Sequence, residues 1–322
     1  MYKVKESFET SKTLMRDACC QGLLDAAEKN PDVVVLDADL VNSSGLKPFF
    51  KHYADRAFDC GVAEANMIGI AAGLSAAGKI PFTHTFGCFA SRRVCDQIMI
   101  SCSYAHLNVK MIGSDPGVTA AKNGGTHMPF EDMAVLRAIP EITLIEPTDP
   151  VMMRWLIGQL TQEYGVYYIR MVRKEAVSVY EEGSTFEIGK GNILQDGTDV
   201  TLFASGIMVE EAMKAATLLR SEGISARVVD MFTWKPIDAE LVERCARETG
   251  CFVTAENHNV LGGLGSAIAE ASVQSVPVPI EMVGVKDRFG QVGSVSFLKK
   301  EYGLTALEIF DAAKRSIARK NG

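Results

Sequence analysis

The chain has 322 residues, enough for two domains of ordinary size, and its 47% hydrophobic and 23% charged composition is that of a globular protein. A net charge of −7 argues against non-specific binding to nucleic acid or an anionic membrane, and no apolar run approaches the roughly 20 residues of a membrane span. The segment MYKVKESFETSK is polar and lacks the apolar core of a secretory signal, and the eight cysteines show no CxxC spacing, so they are expected to be reduced and the protein cytoplasmic.

In chain order, a helical pattern over 12–29 precedes the β-branched run VVVLDADL (33–40). Helical patterns over 62–77, 88–104, 130–138 and 149–163 then alternate with the strand-like runs KIPFTHTF (79–86), NVKMIGS (108–114), ITLIEP (142–147) and VYYIRMV (166–172). Cys88, Cys95 and Cys102 recur every seven residues, which reads as one buried face of the 88–104 helix rather than a metal site. A polar stretch, YEEGSTFEIGKGNILQDG (180–197), interrupts the pattern. The alternation restarts with DVTLFASG, helix 207–222, SARVVDMF, helix 238–248, CFVTAEN, helix 263–273 and PIEMVGV, and a last helix covers about 304–320. Strand alternating with helix predicts parallel sheets covered on both faces. The expected fold class is α/β, two tandem α/β domains, each with a mainly parallel sheet covered by helices, over 1–182 and 190–322.

Several familiar sites are missing. No GxGxxG follows a first strand, no GxxxxGK[ST] or GxSxG occurs, and no histidine pair has metal-ligand spacing. GGLGSA (262–267) opens a helix and reads either as an anion site at the helix N-terminus or, the favoured reading, as a tight strand-to-helix turn.

FDCGVAEANMIGIAAG (58–73) places one glutamate, Glu64, at the start of a small, apolar helix. A first-turn carboxylate interacts favourably with the helix dipole, which makes a capping role the simplest one. But Ala65, Gly69, Ala72, Gly73 and Ala76 form a small-residue stripe that invites close approach of another backbone. A carboxylate at the rim of such a contact is desolvated, and desolvated acids gather at functional sites.

DCGVAEANM, with THTFGCFASRRVCDQI (83–98) and SDPGVTAAKNGGTHMPFEDMAVLRAIP (114–140), resembles the pyrimidine-binding domain of thiamine-diphosphate-dependent transketolases. The likeness runs from about residue 10 to the C-terminus, whose portion is similar to the family's third domain. The pyrophosphate-binding domain with its GDG metal motif is not found, so the resemblance implies the C-terminal subunit of a split transketolase. It implies thiamine diphosphate as cofactor, Mg2+ or another divalent cation held by the partner subunit, and an α2β2 heterotetramer. The glutamate matching Glu64 hydrogen-bonds the cofactor's pyrimidine ring and helps to activate its thiazolium carbon. Phe86 and Phe89 match residues lining the pyrimidine pocket, with Phe89 stacked on the ring, and Asp39 and Leu40 match residues on the thiazolium side.

The same resemblance extends to the substrate. His127, in GGTH, matches a histidine that contacts the donor ketose near its reacting carbons. Arg16, Ser43 and Arg173 match residues that hold the distal phosphate, and paired arginines suit an oxyanion. Three positions depart from the sugar-phosphate enzymes: Asn123 stands where aspartate is common, Ser114 lies nearest the place of a phosphate-contacting histidine, and Arg92 replaces a frequent tyrosine. The cofactor side is therefore kept while the far end of the substrate pocket is altered, and a sulfonate could replace the phosphate there. The implied reaction is transfer of a two-carbon ketol unit from an anionic ketose to an aldose. The alternatives are the β subunit of a 2-oxo-acid dehydrogenase and a non-catalytic, partner-binding subunit. GGTHMP with two arginines argues against the first, and Glu64, Phe89 and His127 together argue against the second.

Overall fold

The computed structural model describes residues 1–322, which divide into two compact units: Met1–Pro116 with Val135–Phe186, and Gly117–Ala134 with Glu187–Gly322. The first unit contains strands β1 (Val4–Thr10), β2 (Val33–Asp37), β3 (Ala57–Asp59), β4 (Ile80–Phe86), β5 (Lys110–Ser114), β6 (Ile142–Ile145), β7 (Val166–Met171) and β8 (Val177–Tyr180). Six of them pair in the order β6-β7-β5-β4-β2-β3, and every pairing is parallel. β2, β5 and β7 are buried along their whole length, as strands covered on both faces must be. β1 and β8 form a separate antiparallel pair. Helix Met15–Lys29 packs against helix Pro150–Leu160, and a Cβ on Gly22 would lie 2.9 Å from Ile157 Cβ, so this contact requires glycine.

The second unit contains β9 (Asn192–Gln195), β10 (Val200–Ala204), β11 (Ala226–Asp230), β12 (Thr233–Lys235), β13 (Phe252–Asn259) and β14 (Ile280–Val285). Its five-stranded sheet has the order β14-β13-β10-β11-β9, with β9 the one antiparallel strand, at the edge. Helices Met208–Ser221, Ala239–Thr249, Leu264–Gln274 and Ala306–Asn321 complete it. The α/β class and the two mainly parallel, helix-covered sheets agree with the expectation.

Two differences are physical. Residues 117–134 fall inside the first α/β run of the sequence but pack with the second unit: Val118 N–H donates to Asn257 Oδ1 at 2.9 Å, and a Cβ on Gly125 would meet Gly290 O at 2.4 Å. The expected helix 88–104 is not continuous: a turn holds 86–90, a 3-10 turn spans Arg92–Val94, and a π-helical stretch covers Ile98–Ser103. Ser91 Oγ donates to Gly87 O at 2.6 Å, the kind of side-chain bond that competes with a regular helix. Cys88 therefore precedes the helical stretch rather than sharing a face with Cys95 and Cys102. In agreement with the favoured reading, the GGLG segment is a strand-to-helix turn, its helix N-terminus filled by the chain's own carboxylate: Glu256 accepts from Leu264 N at 2.8 Å and Gly265 N at 2.9 Å.

Candidate active site

The C-terminal ends of parallel strands in the first unit carry Asp39, Leu40, Phe86 and Arg173, at the edge where open α/β sheets hold their ligands. Register aligns Asp37 of β2 with His84 of β4, and Phe86 of β4 with Ser114 of β5, which in turn pairs with Met171 of β7. Asp39, Asp115 and Arg173 follow the ends of β2, β5 and β7, and the first two adopt φ of +60° and +55°.

Glu64 opens helix Glu64–Ala76 after the turn that follows β3. It is only 4% exposed, so it is not a solvated cap. Its Oε1 accepts from Arg93 Nη1 at 2.8 Å. The Arg93 guanidinium in turn lies 3.7 Å above the centre of the Phe89 ring. Phe86 is buried and Phe89 half-buried, their ring centres 6.3 Å apart and tilted by 57°. Of the small-residue stripe, Ala72 is buried, but Ala65, Gly69, Gly73 and Ala76 are exposed, and a Cβ on Gly69 or Gly73 would face open space beyond its own helix.

A buried network sets the loop that bears Asp39 and Leu40. Asp37 Oδ2 lies 3.0 Å from His84 Nδ1, and His84 Nε2 lies 3.1 Å from Ser114 Oγ. The other Asp37 oxygen accepts from the backbone N–H of Leu40, and Asp59 Oδ1 accepts from Asp39 N and Gly61 N, each at 3.0 Å. Asp59 thereby ties the Asp39 loop to the turn that leads into Glu64. Asp–His–Ser is also the composition of a nucleophilic triad, but Ser114 is fully buried, so the three residues act as a brace.

Arg16, Ser43 and Arg173 come together. Arg16 N donates to Arg173 O at 3.2 Å, and both Arg16 Nη1 and Arg173 Nη1 lie 3.3 Å from Ser43 O. Arg173 also makes a two-point ion pair with Asp115, Nη2 to Oδ2 at 2.7 Å and Nε to Oδ1 at 3.2 Å. Asn123 and His127 lie in the second unit, Asn123 exposed at the end of the 3-10 stretch Gly117–Asn123 and His127 half-buried at the end of the turn Gly125–His127. His127 Nδ1 is 2.9 Å from Thr126 Oγ1. No three His, Cys, Asp or Glu residues are grouped so as to hold a metal ion, all eight cysteines are free, and no helix is long and apolar enough to cross a membrane.

Sequence reasoning did not single out Arg93, Asp115 or the His84 brace. Arg93 stands in an ordinary Arg-Arg doublet, and Asp37, His84 and Ser114 are joined only by strand register.

The transketolase pyrimidine-binding domain family matches residues 11–177, and the transketolase C-terminal domain family matches 189–309. The 6-deoxy-6-sulfo-D-fructose transketolase subunit SqwH of Clostridium sp. (strain MSTE9) is 52% identical over 307 residues, 95% of either chain. A subunit of the apulose-4-phosphate transketolase of Phocaeicola vulgatus is 36% identical, covering 88% of this chain and 90% of that one. Among solved structures, a split-gene transketolase described as an inactive β4 tetramer superposes with a TM-score of 0.90 at 41% identity, over 95% of this chain and 99% of that one. These relatives are transketolase subunits, which removes the dehydrogenase alternative. The chain belongs to the transketolase family, as the C-terminal subunit of a transketolase divided between two chains.

Proposed function

We propose that this subunit, joined to a chain carrying the pyrophosphate and metal site, transfers a two-carbon ketol unit from an anionic ketose to an aldose in cytoplasmic carbohydrate metabolism. The functional domains are taken as residues 1–182 and 190–322. Family membership implies thiamine diphosphate, and the residues present fit its aminopyrimidine ring. A buried carboxylate at the start of a helix and an aromatic face are bridged by one planar, hydrogen-bonding group, here the Arg93 guanidinium. When bound, thiamine diphosphate supplies a nucleophilic carbon that carries the two-carbon unit. Glu64 binds and protonates the ring nitrogen, a task suited to a carboxyl withdrawn from water. Phe89 offers its face to the ring, Phe86 walls the pocket, and Asp39 with Leu40 borders the thiazolium side. His127 and Asn123 face the sugar. Arg16, Ser43 and Arg173 hold its distal anion.

A sulfonate is the favoured tail. The relative at 52% identity is named for a sulfonated fructose, and two guanidinium groups bind any such oxyanion. The partner supplies the divalent cation, and the assembly is α2β2, with the open Gly69–Gly73 helix face as a contact surface. The observation that carries this reading is the buried Glu64 linked to the Phe89 ring through one guanidinium. The test is reconstitution with a partner chain, thiamine diphosphate and magnesium, assaying 6-deoxy-6-sulfofructose against fructose 6-phosphate as donors. The mixture is expected to turn over and this chain alone to be inactive. Tight cofactor binding and turnover by the chain alone would refute the split site.

A further inference from the structure

We infer that Arg93 is a placeholder for the cofactor: its guanidinium occupies the position of the aminopyrimidine ring and must swing out before the cofactor can bind. The inference rests on the assignment of Glu64 and Phe89 to that ring. A guanidinium is planar, stacks on aromatic faces and donates in its own plane to carboxylates. Arg93 does both at once, 3.7 Å above the Phe89 ring and 2.8 Å from Glu64 Oε1. An aminopyrimidine stacked on Phe89 and bonded to Glu64 needs the same face and the same carboxylate, so the two groups exclude each other. The arrangement also answers a problem of the empty site: Glu64 is 4% exposed, and Arg93 gives this buried carboxylate a hydrogen-bonding partner. The release is local: the Arg93 side chain is 44% exposed and leaves from a short 3-10 turn, so only side-chain torsions need to change. Because the binding-competent state is only part of the population, the apparent affinity for the cofactor is reduced by that fraction.

The experiment compares wild type, Arg93→Met and Arg93→Gln in the reconstituted two-subunit complex, titrated with thiamine diphosphate and magnesium by calorimetry. Arg93→Met keeps the length of the stem and removes the donors and the charge. Its Kd is expected to fall about 2- to 30-fold, the range that loss of one cation–π contact allows, with Arg93→Gln in between. The cofactor-free complex of Arg93→Met should melt at a lower temperature than wild type, and saturating cofactor should erase the difference. An unchanged or higher Kd for Arg93→Met would overturn the placeholder, since Arg93 would then be a bystander or a cofactor ligand. If the wild-type and Arg93→Met complexes both fail to bind thiamine diphosphate, the cofactor assignment falls and the placeholder with it.

Discussion

Arg16 and Arg173 meet at one oxygen: the Nη1 atoms of both lie 3.3 Å from the carbonyl of Ser43. A single carbonyl does not neutralise two guanidinium groups. Arg173 is balanced by Asp115, whereas Arg16 has only the half-exposed Asp17 carboxylate at 3.5 Å. The cluster therefore retains pull for an anion.

The first prediction concerns that anion. Arg16 is one-third exposed, so Arg16→Met should fold normally, whereas loss of Arg173 would strand the buried Asp115. Hydrogen bonds to a charged group contribute about 1.5–3 kcal/mol. Arg16→Met should raise KM for a phosphorylated or sulfonated ketose roughly 10- to 150-fold with little change in kcat, because the tail is bound equally in ground and transition states. A neutral ketose should react equally well with both proteins. Steady-state kinetics on the matched pair checks this, and an equal loss on the neutral sugar would remove Arg16 from the anion site.

A second prediction concerns Glu64. Glutamine keeps the size but cannot give and take the proton, so Glu64→Gln should lower kcat about 10²- to 10⁴-fold. Exchange of the cofactor's C2 proton, followed by NMR in the assembled enzyme, should slow in parallel while thermal stability stays near wild type. Exchange at the wild-type rate would reduce Glu64 to a helix cap. Phe89→Ala should instead weaken cofactor binding, with activity partly restored at high cofactor concentration.

The legible parts of the molecule were those encoded by local pattern. β2, β4, β5, β7 and β10 are buried on both faces, and their apolar runs announce them. β1 (VKESFET) and β8 (VSVY) pair only with each other, one of them mostly polar, and have no such signature. The motif residues Glu64, Phe86 and Phe89 could be placed from sequence because the motif is contiguous with the elements that carry it. Contacts between distant segments could not: Val118 with Asn257 sends 117–134 to the second unit, and nothing in either segment signals the pairing. Arg93 illustrates the same limit, since a surface arginine and one folded over Phe89 have the same sequence.

A third prediction uses Lys110, at the opposite end of β5 from Ser114. Its ammonium is buried, donates to Asn108 Oδ1, Glu163 O and Gly165 O at 2.5, 2.8 and 3.1 Å, and is pulled down by burial to about 7. An unfolded lysine titrates near 10.4. Between about pH 7 and pH 10 the unfolded chain holds a proton that the folded chain has lost, so this residue makes stability rise with pH. Below pH 7 both states are protonated and the burial penalty is felt in full. The urea midpoint of wild type relative to Lys110→Met should therefore increase from pH 7 to pH 10. A flat difference would mean that Lys110 stays charged throughout.

The last prediction concerns Asn123, which sits exposed at the end of its 3-10 stretch, next to Gly124 with φ +75°. By family likeness it faces a hydroxyl of the bound sugar. Aspartate there could only accept, which rewards a hydroxyl that donates and repels an anionic or acceptor group. Asparagine both donates and accepts and carries no charge. A substrate lacking that hydroxyl leaves an amide unpaired rather than a carboxylate. The difference is about 1–3 kcal/mol where the site closes over the sugar, or roughly 5- to 150-fold in kcat/KM. Asn123→Asp should therefore raise the preference for a 2-hydroxylated aldehyde over its 2-deoxy counterpart, without altering the demand for a terminal phosphate or sulfonate that is proposed for Arg16 and Arg173. Four aldehydes, with and without each group, separate the two effects in one set of assays. An unchanged hydroxyl preference in Asn123→Asp would show that this side chain does not read the hydroxyl.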